Sequence, residues 1–105
     1  MYNECTKYAK GIADDLYKVY SGETVDECES LYDYIADTLD VEYTLDSGKK
    51  LIGVNLYVTL GGPTCWIDTR RQEVVCHWGT ESGRWSIPGC VCDEINDYFV
   101  DVMEF

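Results

Sequence analysis

Between Val19 and Gly48 the chain carries nine carboxylates, Glu23, Asp26, Glu27, Glu29, Asp33, Asp37, Asp40, Glu42 and Asp46, and no lysine or arginine. The formal net charge of the whole chain is -12. Repulsion on that scale opposes a compact state and repels nucleic acid and acidic membranes. A chain that retains it is expected to present the field to a positively charged partner.

The 105 residues fit one domain, 1–105. An apolar fraction of 46% with 13% aromatics is too high for a disordered acidic tail. The longest apolar stretches, such as Leu56 to Leu60, fall far short of the roughly 20 residues of a membrane-spanning helix. The N-terminus lacks a basic-then-apolar export signal, so the expected location is the cytoplasm of a bacterial host cell. The even count of six cysteines permits a disulfide framework. Cys5 and Cys28, however, sit at helical core spacing, and a reducing compartment favours free, mostly buried thiols.

Apolar residues at Cys5, Tyr8, Ala9, Ile12, Leu16, Val19 and Tyr20 recur at three and four, which predicts a helix over about 3–20. Ser21 and Gly22 end it. Thr24-Val25-Asp26-Glu27 reads as a capping box opening a second helix to about Leu39. Its apolar stripe is Val25, Cys28, Leu31, Tyr32, Ile35, Ala36 and Leu39. Val41 to Leu45, a turn at Asp46-Ser47-Gly48, and alternation from Leu51 to Leu60 read as a hairpin, with Ile52, Val54, Leu56, Val58 and Leu60 inward. Thr64 to Asp68 and Glu73 to Trp78 read as two more strands, with Cys65 opposite Cys76. Gly79 to Gly83 reads as loop and Arg84 to Ile87 as a short edge strand. Pro88 suits the first turn of a closing helix whose stripe is Cys92, Ile95, Tyr98, Phe99, Val102 and Met103. The expected fold class is α+β: two N-terminal helices, an antiparallel sheet of three to four strands, and one C-terminal helix.

On the second helix, Glu29, Asp33 and Asp37 are four residues apart, with Asp26 and Asp40 extending the row. The closing helix repeats the device with Asp93, Asp97, Asp101 and then Glu104. Like charges at this spacing cost about 0.2 to 0.5 kcal/mol each. A rigid carboxylate row resembles the charge row of a nucleic-acid backbone and suits a Lys/Arg-lined groove. The competing reading is a solvated face that serves solubility.

Nine tyrosines and three tryptophans supply interface candidates. Tyr34 lies off the apolar stripe beside Asp33 and Asp37. Trp66 shares the expected outer sheet face with Asp68, Val75 and His77. Most other aromatics read as core. Cys65, Cys76, His77, Cys90 and Cys92 carry zinc-binding atoms, but adjacent Cys76 and His77 point to opposite faces of a strand. No metal or cofactor is expected. The one histidine has no nucleophile partner at sequence level, and Gly61-Gly62 is not a phosphate loop, so no enzyme is expected and no catalytic residue is assigned. Direct nucleic-acid binding is disfavoured by scattered Lys49, Lys50, Arg70, Arg71 and Arg84.

The runs Gly61-Gly62-Pro63-Thr64-Cys65-Trp66-Ile67-Asp68-Thr69, Cys76-His77-Trp78-Gly79 and Val91-Cys92-Asp93-Glu94-Ile95-Asn96-Asp97-Tyr98-Phe99 resemble a family of small acidic proteins of phages and mobile elements of gut Firmicutes. In size and acidity the chain is also similar to anti-CRISPR proteins, several of which mimic DNA; that likeness carries no motif and transfers no residue. The resemblance implies an inhibitor of a host nucleic-acid-targeting system, a CRISPR-Cas effector of the Cas9 type or a restriction nuclease. The alternative is a protein-protein adaptor that binds through its outer sheet face.

Overall fold

The structure, a computed structural model, describes residues 3–103. Helix α1 (Glu4–Tyr20) begins at Asn3, whose side-chain oxygen accepts the Thr6 amide at 2.8 Å. It ends at Ser21, and Gly22 follows at φ 96°. The amides of Gly22 and Glu23 return to the carbonyls of Val19 and Lys18, a Schellman closure that only an unhindered residue at Gly22 allows at low cost. Cys5, Ala9, Ala13, Leu16 and Val19 form its buried stripe.

The expected second helix is not a helix over most of its length. The amides of Val25 and Cys28 each donate to the other's carbonyl, and Asp26 and Glu27 between them take φ of 47° and 70°. That tight reversal removes Thr24 from any capping role. Helix α2 is the six residues Leu31–Ala36, capped by Ser30, whose hydroxyl accepts the Asp33 amide at 3.2 Å. Ser30 competes with Thr24 as a cap and wins because like carboxylates at fours disfavour the longer helix.

Strands β1 (Asp40–Leu45), β2 (Leu51–Thr59), β3 (Thr64–Asp68), β4 (Glu73–Trp78) and β5 (Glu81–Ser86) follow as an antiparallel meander, in the same order in space as in sequence. The α+β class holds, with one strand more than expected. The edge strand expected at Arg84–Ile87 instead runs from Glu81 to Ser86 and takes in most of the expected Gly79–Gly83 loop, because Trp78 pairs Glu81 across Gly79-Thr80, with Gly79 at φ 63° as a two-residue hairpin of the II′ kind requires. Register irregularities in β2 correct the inward set. Ile52 is the unpaired residue between Gly53 and Leu51. Leu51 is therefore buried and Ile52 exposed, while Leu60 lies beyond the strand and is exposed. Cys65 and Cys76 face each other with Cα atoms 4.1 Å apart and are joined by a disulfide, which corrects the expectation of free thiols for this pair. Cys5, Cys28, Cys90 and Cys92 are free.

The segment Asp68-Thr69 fastens the β3–β4 turn. Asp68 accepts the amides of Arg70 and Arg71, and Thr69 donates to Asn96 Oδ1 at 2.7 Å while pairing with the Val54 backbone. This ties β2 and the turn to helix α3 (Gly89–Met103). Val91, Cys92, Ile95 and Phe99 of α3 join the α1 stripe, Leu31, Ile35, Val54, Leu56, Ile67, Val74 and the disulfide in one core. Val102 is exposed and the Met103 side chain lies outside the described ones.

All three helices pack on one face of the sheet, and α1 lies directly on β4 and β5. A methyl group at Gly83 of β5 would collide with the backbone of Cys5 and Thr6. Gly11, in the same helix, faces open space. Gly83→Ala is expected to cost about 1–3 kcal/mol, a fall in Tm of at least about 4 °C for a domain of this size. Gly11→Ala is expected to raise Tm through its helix propensity; thermal melts of the two variants should move in opposite directions.

Candidate functional site

The irregular segment that replaces the expected helix still gathers carboxylates. Asp26, Glu27, Glu29, Asp33 and Asp37 line one shallow depression of about 460 Å³ beside Cys28. Two of them hold the local chain. Asp33 accepts the Glu29 amide at 3.1 Å, one residue ahead of the Ser30 cap to which its own amide donates. Asp37, the C-terminal cap of α2, accepts the Cys28 thiol at 3.5 Å. Glu29 has no such duty.

On α3, Asp93, Glu94, Asp97 and Asp101 are exposed as expected, and Glu104 lies outside the described residues. Tyr32 joins the two groups. Expected in the core, it is 46% exposed, because Leu31 and Ile35 take the inward positions of so short a helix. Its hydroxyl donates to Glu94 at 2.7 Å and its ring lies 5.3 Å from that of Tyr98. The bond to Glu94 raises the pKa of this hydroxyl, and the charges of Asp101 and Asp97 add to the rise. Glu29, Tyr32 and Glu94 line a second depression with Tyr20, and Tyr32, Glu94, Asp97 and Asp101 line a third. Shared walls make the three contiguous. The two acidic groups are thus one band, running from the 24–30 reversal across Tyr32 and along α3.

Two expected members stand elsewhere. Asp40 opens β1 and pairs with Tyr57 on the sheet, because the helix that would have carried it ends at Ala36. Tyr34, expected as an exposed anchor, packs against the core, and burial raises the pKa of its hydroxyl. Asp15 of α1 was not foreseen. It lines a further depression with Asp26, Asp37 and Tyr34.

Among the described residues no helix lies on the other face of the sheet, and Val75, though buried, lies outside the common core. Trp66 shares this face with Val75 and His77, as expected, whereas Asp68, expected with them, is buried and turned to the amides of Arg70 and Arg71. Its ring is stacked on His77 at 5.2 Å with 6° between planes, and it lies 5.7 Å from Tyr57. The Tyr57 hydroxyl donates to Glu42 at 2.6 Å, and this bond, with burial, pushes its pKa up to about 12. Arg84 pairs with Glu73 at 3.2 Å.

Among the described residues, no three His, Cys, Asp or Glu side chains converge as a metal site, and no helix is long and apolar enough to cross a membrane. Cys65 and Cys76, as a disulfide, offer no thiolate. Comparison with family models, with curated proteins and with solved structures gives no match to this chain.

The band has a cost that depends on pH. Burial raises the pKa of Asp15 above its ordinary 3.8, and the nearby Asp26 charge raises it further. A raised carboxyl binds its proton more tightly in the folded state, so its stability contribution is complete below 3.8 and is lost as pH rises through the folded value. Asp15→Asn is therefore expected to raise Tm at neutral pH and to leave it unchanged below pH 3.8. An equal rise at both would assign the effect to packing.

Proposed function

We propose that the chain is a non-enzymatic inhibitor whose carboxylate band occupies the Lys/Arg-lined nucleic-acid channel of its target. The class of target implied by the resemblance is a CRISPR-Cas effector of the Cas9 type or a restriction nuclease, which holds nucleic acid in such a channel. The single observation that supports this most is the contiguity of the band. Asp97 and Asp101 rise about 6 Å apart along α3, sparser than one phosphate per about 3.4 Å of each DNA strand. The second group around Glu29 adds the charge that one helix lacks.

The carboxylates of Glu29, Asp97 and Asp101 enter no hydrogen bond or ion pair among the described residues. They are available to a partner, whereas Asp33 and Asp37 also hold the fold. None of the eight basic residues falls in 19–48 or on α3, so no internal cation neutralises the band from its own elements. Fast, steered association at low salt follows from a field of one sign.

The test is displacement of DNA or guide RNA from a purified Cas9-type effector and a restriction nuclease. The wild-type chain is expected to compete, and less strongly as salt rises. The triple variant Glu29→Gln, Asp97→Asn, Asp101→Asn is expected to lose about tenfold in potency, at about 0.2–1 kcal/mol per exposed charge. Its Tm should match or exceed the parent's, since like charges are removed. Undiminished competition by the folded triple variant, or none by the wild type, would sink the mimicry.

A further inference from the structure

The open sheet face has a symmetry of its own, independent of the acidic band. The register places Asp40, Tyr57, Trp66, Val75 and Arg84 in one row across all five strands. Directly opposed residues of neighbouring strands share a face, so these five side chains stand together on the side without helices. Trp66 is the middle residue of β3, and β3 is the middle strand. A carboxylate ends the row on one edge strand and a guanidinium ends it on the other.

We infer that this face docks a second copy of the chain, sheet against sheet, about a two-fold axis running along β3. Rotation about that axis reverses the row. Asp40 of one copy then meets Arg84 of the other, Tyr57 meets Val75, and Trp66 meets Trp66. An isologous contact needs such a self-complementary patch, and a foreign partner would have to match the same row by independent means. Stacked sheets cross at about 30°, which the long Arg84 side chain accommodates. Arg84 keeps Glu73 as its neighbour in the same copy, so an incoming carboxylate completes a three-member network.

Net charge does not forbid the pairing. The acidic band lies in the helix layer, on the far side of a molecule whose shortest extent is 22 Å. At physiological salt, screening acts over about 8 Å. Both bands point outward in the dimer. Five strands about 4.8 Å apart and about 20 Å long give a face of roughly 500 Å² in projection. That places the contact in the small-interface class, populated at high protein concentration.

Sedimentation velocity at about 0.15 M salt, over protein concentrations up to about 0.1 mM, reads the association. The expected result is a reversible dimer of the 12.0 kDa chain. Asp40→Lys is expected to weaken it at least about tenfold by setting lysine against Arg84, and Asp40→Lys with Arg84→Glu to restore it. Trp66→Ala should abolish it, with circular dichroism confirming the fold. Cys90 is exposed and free, so Cys90→Ser must leave the dimer intact. A monomer throughout the range overturns the inference. So does a dimer that needs Cys90 or is indifferent to Asp40→Lys and Trp66→Ala, and so does a foreign protein captured on this face by a monomeric chain.

Discussion

The close approach of α1 to β5 at Gly83 sets the layering on which both surfaces depend. With no Cβ on the strand, the backbone of Cys5 and Thr6 comes down onto the sheet. Asn3 fixes the same place twice, capping Thr6 through its oxygen and donating through its nitrogen to the Ser82 carbonyl at 3.0 Å. Helix α1 is thereby committed to β4 and β5, and α3 reaches β2 on the same side through Thr69 and Asn96. With every helix on one face, no helix among the described residues covers the aromatic row on the other.

The acidic segment shapes the chain as much as it decorates it. A helix from Thr24 to Leu39 would stack carboxylates at fours with no cation to offset them. The chain instead reverses at Asp26 and Glu27, and the short helix that follows draws on two carboxylates for its ends. Asp33 in the first turn is favoured by the helix dipole, whereas Asp37 at the C-terminal end is opposed by it. The Cys28 thiol, donating to Asp37, supplies a local partner in place of a cation.

Much of this was legible in the sequence. The 3.6-residue period of α1, the alternation in β2 and the turn chemistry at Asp46-Gly48 each name their element because one local preference dominates. The opposition of Cys65 and Cys76 followed from an even turn, but the covalent bond between them did not. The failures share a cause. Between Thr24 and Leu39 two capping signals compete, and periodicity alone favours the longer helix; the Ser30-x-x-Asp33 spacing was the discriminating signal. In β2, Ile52 and Leu51 are equally apolar, and only the pairing with β1 decides which faces inward. The bridge through Tyr32 and Glu94 joins residues 62 apart in sequence, which no local pattern encodes.

A count of charges cannot separate the carboxylates that serve the fold from those available to a partner, and here the two kinds alternate. Asp33 and Glu29 lie four residues apart in one depression, yet Asp33 holds the Glu29 amide while the Glu29 side chain holds none of the described residues. The same division appears across the sheet, where Glu42 is bound by Tyr57 and Glu73 by Arg84. Acidity on the sheet face is thus largely answered within the chain. On α3 it is answered, among the described residues, only at Glu94, by one tyrosine. The unanswered charge therefore concentrates on the helix side, and the two faces differ less in how many carboxylates they carry than in how many of those are already engaged.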